Sequence, residues 1–266
     1  MKTYNSIIIG SGLGGLTAGA LLALWGKKVL VLEQHYIAGG CATAFKRKDF
    51  LMEVGLHEID GLHEQDFKRP IMELLGLFDG VEFIKIPELY HIRKGGFSYV
   101  LPEGKQAKEQ LIRDFPKEEK SINDFFVTIE KLYKEMHQMP RSKWFRRLIH
   151  PLMPLLYPTI ARTSRLTAGE WLDKHFKNER LKTILTANMC YYTDDPFNLS
   201  LMYFLVAQGS YLNGGGHFVK GGSQALSHYL VHLIEQHGGQ VLTGKYAKEI
   251  LIENNRAVGV TYQDTF

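Results

Sequence analysis

Before residue 34 the chain sets a short run, Ser6-Ile7-Ile8-Ile9, directly against the turn Gly10-Ser11-Gly12-Leu13-Gly14-Gly15. An Ala- and Leu-rich stretch from Leu16 to Trp25 follows, stopped at Gly26, and then Lys28-Val29-Leu30-Val31-Leu32-Glu33. Short continuous apolar runs bounded by glycine read as strands buried in a parallel sheet. Parallel neighbours need a crossover, and the intervening stretch predicts a helix of suitable length. Gly10, Gly12 and Gly15 fill the three glycine places of G-x-G-x-x-G. The first allows the tight turn, the second lets a pyrophosphate approach the backbone, and the third permits close helix–strand packing. Phosphates then lie at the helix N-terminus, where N–H groups lack partners and the dipole favours negative charge. Glu33, ending the second strand, can accept hydrogen bonds from a ribose 2′-hydroxyl and repels a 2′-phosphate. The alternative is a Gly-rich turn without ligand. The flanking strand, helix and acid are the context that separates the two.

A second turn, Ala38-Gly39-Gly40-Cys41-Ala42-Thr43, comes just past the acid. Paired glycines let backbone N–H groups reach a phosphate, and Thr43 adds a hydroxyl. A simple nicotinamide dehydrogenase has no need of this loop, so the pair of loops points to FAD rather than NAD. An ordinary turn is the plainer reading of the second loop taken alone.

With 266 residues, 45% of them hydrophobic and 23% charged, the chain has enough apolar surface for one large or two intertwined domains. The order is α/β, then mainly helical from Gln106 to about Met139 and again over 166–190, then α/β from Ser223 onward. Strands are predicted at Val81–Ile86, Phe97–Val100, Gln240–Leu242, Glu249–Glu253 and Ala257–Val260, with turns at Gly95-Gly96 and Asn254-Asn255. This predicts an α/β fold: a Rossmann-like domain with a parallel sheet over 1–85 and 214–266, and an inserted, mainly helical α+β cap over 86–213. The two cysteines, Cys41 and Cys190, make neither a disulfide framework nor a metal pattern, and no zinc spacing or nucleophile elbow occurs. No charged and apolar leader opens the sequence, and no run of about 18 apolar residues exists. The expected location is the cytoplasm, with peripheral contact at the inner membrane face.

The stretch GSGLGGLTAGALLALWGKKVLVLEQHYIAGGCATAF, with Phe50-Leu51-Met52-Glu53-Val54-Gly55-Leu56-His57, resembles the phytoene desaturase-like flavoproteins, in particular the retinol saturase and carotenoid isomerase branch. Gly216-His217-Phe218-Val219-Lys220-Gly221-Gly222-Ser223-Gln224-Ala225-Leu226, through Gly238-Gly239-Gln240-Val241, is similar to the second characteristic segment of that family. The resemblance implies FAD, with Gly10, Gly12, Gly15, Glu33, Gly39 and Gly40 holding its ADP half. It also implies Gly55 near the flavin and the strand around Tyr246 and Ala247 near the adenine. Leu13, Gly14, Gln34 and Thr43 complete the expected cofactor set. The implied chemistry is desaturation, saturation or isomerisation of an apolar polyene or isoprenoid lipid. Many desaturases carry Arg after the paired glycines, where this chain has Cys41. Family members are also longer, their C-terminal half contributing to the flavin and substrate sites. A flavin amine oxidase-like enzyme shares this architecture, and a half-protein completed by a second chain is a further reading.

His57 follows the flavin-proximal turn and is a candidate proton donor, although lone histidines are more often structural. Arg141 to Arg165 carries Arg141, Lys143, Arg146, Arg147, Arg162 and Arg165 without an acid, interleaved with Trp144, Phe145 and many aliphatic side chains. That mixture suits an anionic membrane surface or, equally, a core helix pair with a basic rim. Nucleic acid is not expected, because no binding fold surrounds these residues.

Overall fold

The structure, a computed structural model, describes residues 3–265. They form two compact units. One comprises the residues up to Ile59, residues 67–85 and those from His217 on; the other comprises residues 60–66 and 86–216. Residues 60–66, inside the expected first segment, therefore group with the helical unit.

The first unit is built on β1 (Ser6–Ile9), α1 (Leu13–Leu24) and β2 (Val29–Leu32). β1 and β2 are parallel, with Ser6 opposite Val29 and Ile9 opposite Leu32. The strand Gln240–Leu242 lies parallel on the other side of β2. Central β2 is buried at every position. β1 departs from the expected buried strand: Ile9 is 50% exposed. Among the described residues β1 pairs with β2 alone, so it is an edge. Helix α1 begins at Leu13, earlier than its periodicity indicates, because the last glycines of the turn are already helical. It ends at Gly26, whose φ of 74° lets its N–H reach the Ala23 carbonyl at 2.9 Å.

Small residues bring α1 close to its neighbours. A methyl group on Gly19 would stand 3.0 Å from Ile234 and 3.3 Å from Ile8. The helix thus packs against both the sheet and the helix Ser223–Gln236. Fully buried Leu16 anchors that layer, a burial that contributes about 1.5–3 kcal/mol. The strands Lys245–Glu253 and Arg256–Asp264 form an antiparallel hairpin. Its turn residues Asn254 and Asn255 have φ of 49° and 61°, as a two-residue hairpin turn demands. A further hairpin, Ala44–Arg47 with Phe50–Glu53, escapes the sequence pattern because most of its side chains are exposed.

In the second unit Tyr90–Lys94 and Phe97–Leu101 pair across Gly95-Gly96. The helical stretch after residue 104 is two helices, Gly104–Asp114 and Glu119–Gln138, parted at Phe115-Pro116. Proline lacks the N–H that would carry the first helix on. Phe125, Ile129 and Leu132 turn inward as their spacing predicts and pack with Trp171 and Phe204. Among the described residues no helix is long and apolar enough to cross a membrane.

Candidate cofactor site

The glycine turn after β1 is held by its own backbone. Gly10 has φ of 97° and donates its N–H to the Leu32 carbonyl at 2.8 Å, which ties the turn to β2. A methyl on Gly15 would stand 2.1 Å from the Gly10 carbonyl oxygen and 3.3 Å from Ile8, so only glycine lets α1 start this close to β1. Gly12 is the N-cap of α1 and offers no side chain to the first amides of the helix. Those amides lack intrahelical partners and carry the positive end of the helix dipole.

The second loop meets the first. Gly12 and Gly39 form a parallel backbone bridge. Gly39 donates its N–H to the Ser11 hydroxyl at 3.3 Å, and a methyl on Gly40 would stand 3.1 Å from the Gly12 Cα. Gly39 and Gly40 have φ of 131° and 61°, and a side chain on Gly39 would strike the Ala42 carbonyl and the Ser227 hydroxyl. Between the loops lies a cavity of about 330 Å³, lined by Gly12, Leu13, Gly39, Cys41, Ala42, Gly55 and Leu56. Gly14 is exposed beside Gly15, and a methyl there would meet nothing within 4 Å.

Glu33 is buried at the end of β2. Its carboxylate accepts from the Ser11 N–H at 2.8 Å, the Ser11 hydroxyl at 2.6 Å and the His35 N–H at 2.8 Å. Burial by itself raises its pKa. The hydrogen bonds from Ser11 and His35 outweigh that and hold it below its ordinary value of 4.5. A carboxylate has about four acceptor positions. Glu33 therefore stays ionised, braces the glycine turn and keeps acceptor capacity. Thr43 is buried and donates its hydroxyl to the Gly40 carbonyl at 2.9 Å, bracing the second loop. Gln34 accepts at its carbonyl from the Thr265 hydroxyl at 2.8 Å, and the Lys245 N–H donates to the Glu33 carbonyl at 2.7 Å. These contacts seat the base of the hairpin, with Tyr246 and Ala247, against the end of β2. Gly55 lines the cavity. His57 is exposed in the irregular stretch that follows.

Sequence reasoning missed the groups that hold the second loop. Ser227 donates its hydroxyl to the Ala42 carbonyl at 2.7 Å, and Gln224 donates its side-chain amide to the Ala38 carbonyl at 3.0 Å. The Gln224 Oε1 is buried and carries no hydrogen bond. Glu53 caps the helix that bears both residues, accepting the Ser223 N–H at 2.9 Å and the Ser223 hydroxyl. The only sequence signal was the Gly221-Gly222-Ser223 turn at a helix start. In the helical unit, Gln208 donates to Asn188 at 2.5 Å deep in the core. Burial pushes the nearby Tyr192 phenol up to about 12.

Unpaired helix amides, glycines that admit a ligand to the backbone and an ionised acid beside them fit the pyrophosphate and ribose of a dinucleotide. Comparisons with known proteins agree. The model of the family "Flavin containing amine oxidoreductase", whose cofactor is FAD, matches residues 13–266. The inactive all-trans-retinol 13,14-reductase of Danio rerio is 31% identical over 96% of this chain and 43% of its own length. The neurosporene-forming phytoene desaturase of Cereibacter sphaeroides is 27% identical over 96% of this chain and 49% of its own. These relatives bear out the resemblance read from the glycine loops. The chain thus spans less than half the length of either. Among solved structures, an oxidoreductase from Methanosarcina mazei has the same fold over 97% of this chain and 56% of its own, with a TM-score of 0.63 at 19% identity. Since the family match covers nearly all of the chain, from Leu13 through the second glycine loop and the hairpin, the chain belongs to the flavin containing amine oxidoreductases.

Proposed function

We propose that this chain is the FAD-holding part of an oxidoreductase acting on C=C or C–C bonds of an apolar polyene or isoprenoid lipid. The observation that carries this reading is the meeting of the two glycine loops, at Gly12 and Gly39, over a cavity at the N-terminus of α1. Gly10, Gly12, Leu13, Gly14 and Gly15 would present backbone to the pyrophosphate, as the G-x-G-x-x-G unit of a Rossmann-like domain. Glu33 and Gln34 would take the ribose, and Tyr246 and Ala247 the adenine edge. Gly39, Gly40 and, through its brace, Thr43 would shape the second phosphate contact, and Gly55 the approach to the ring system. Bound there, FAD supplies hydride transfer to or from carbon. The chain's own work is to bind, orient and keep the site dry. His57 is a proposed proton donor near Gly55. Residues 86–213 serve in this reading as an inserted cap that covers an apolar substrate. The names of the relatives support a polyene substrate and leave the direction of reaction open.

Such a substrate partitions into bilayers, so the reading includes peripheral membrane contact through 141–165. A second observation favours completion by further polypeptide, continuous with this chain or supplied by a second one. The edge strand β1 and the hairpin flank an apolar groove of about 770 Å³ that includes Tyr4, Ile7, Leu242, Leu251 and Val260.

The test is anaerobic incubation of the flavin-loaded protein with retinol and with phytoene, following flavin reduction or reoxidation. Redox change with either polyene supports the reading. Change with a primary amine alone assigns the chain to amine oxidation. A flavin that is bound but inert to all three assigns it to the half-protein reading.

A further inference from the structure

We propose that residues 141–156 form a docking face for an anionic phospholipid bilayer. The face deepens the membrane contact of the proposed function, on which it rests, and is narrower than the basic segment in the sequence. The helix Lys143–Ile149 is capped by Ser142, whose hydroxyl accepts the Phe145 N–H at 3.4 Å, and the short helix Met153–Leu156 follows it. Of these two helices only Ile149 is buried. Trp144, Leu148, Leu152 and Leu155 are 73%, 60%, 52% and 78% exposed. A soluble surface rarely gathers large apolar side chains this densely without a partner.

The face stands on a fixed base. The Tyr157 hydroxyl donates to the Gln138 carbonyl at 3.3 Å. The Glu135 carboxylate accepts the Thr159 and Ile160 N–H groups at 3.0 and 2.9 Å, binding the next helix to the long helix Glu119–Gln138. In the next helix Thr159, Ile160 and Thr163 turn into the core, so the run of exposed apolar side chains ends before it.

Charge selects the occupant. No acidic residue lies between Glu135 and Glu170, while Lys143, Arg146 and Arg147 are exposed among the apolar side chains. A symmetric contact with a second copy would set these cations against one another. An anionic headgroup layer satisfies them while the rings and aliphatic chains enter the acyl boundary. Pro151 and Pro154 keep the helices short, which suits a segment that lies in the interface.

The experiment uses the full chain carrying Trp25→Phe, which leaves Trp144 as the exposed fluorophore beside buried Trp171. It is mixed with vesicles of phosphatidylcholine alone, or of phosphatidylcholine with phosphatidylglycerol. The expected result is co-sedimentation with the anionic vesicles, a blue shift of Trp144 emission, and release by salt. Arg146→Gln with Arg147→Gln should weaken partition about 30-fold, at roughly fivefold per basic residue. Absence of binding to both vesicles overturns the proposal, and so does binding that neither the double variant nor Trp144 registers. A blue-shifted Trp144 in vesicle-free protein that dimerises with concentration assigns the face to a protein contact and overturns it too. Flavin content of the same samples separates these outcomes from any failure of the cofactor site.

Discussion

Gly14 and Gly15 are adjacent, both near the start of α1, and they should answer the same substitution in opposite ways. A methyl on Gly15 meets the Gly10 carbonyl oxygen at 2.1 Å, the Gly10 carbonyl carbon at 3.2 Å and Ile8 at 3.3 Å. Ordinary contact is about 3.5 Å, so the turn must open by more than about 1 Å. Backbone cannot step aside as a flexible side chain can, and forced overpacking of this kind costs about 1–3 kcal/mol. A methyl on Gly14 meets nothing within 4 Å, and its backbone is not left-handed. There the loss of unfolded-state freedom alone acts, stabilising by about 0.4–1 kcal/mol. Urea denaturation of Gly14→Ala and Gly15→Ala should move the two midpoints in opposite directions. Equal midpoints, or a Gly15→Ala protein as stable as the parent, would refute the reasoning that places helix and strand in contact at this glycine.

Gly12→Ala should leave the urea midpoint near that of the parent, because its methyl projects into open space, yet lower FAD affinity in a titration, because that space lines the cavity. Glu33→Gln should cost about 1–3 kcal/mol at neutral pH by weakening hydrogen bonds to a buried carboxylate. The folded pKa of Glu33 lies below its ordinary 4.5, so the parent's advantage is full above that value and disappears as pH falls through the folded value. Stability curves of parent and variant should therefore converge in acid and run parallel at neutral pH. Glu53→Ala leaves the Ser223 amide and hydroxyl without their acceptor and should cost about 1–3 kcal/mol, read by thermal unfolding.

The nucleotide-type elements were legible because each is local. Gly10 to Glu33 encodes turn, helix and strand within one stretch, and Asn254-Asn255 marks a hairpin by itself. The inward face of Phe125, Ile129 and Leu132 followed from helical spacing. What the sequence hid depends on distant partners. The edge character of β1 follows from what does not pair with it. The exposed Ala44–Glu53 hairpin has no buried face to set an alternating pattern. Glu53, Gln224 and Ser227 brace the second loop across more than 150 residues of sequence, a relation that no local pattern announces. Pro116 was visible, but the helical spacing on both sides masked the break.

The claim on which the account rests is that this chain's own glycine loops hold FAD. Purified protein should be incubated with FAD, freed of excess by gel filtration, and heat-denatured to release whatever remains. The account predicts stoichiometric FAD in the supernatant of the parent and a marked loss from Gly12→Ala. A parent chain that is folded by circular dichroism and releases no flavin would contradict it.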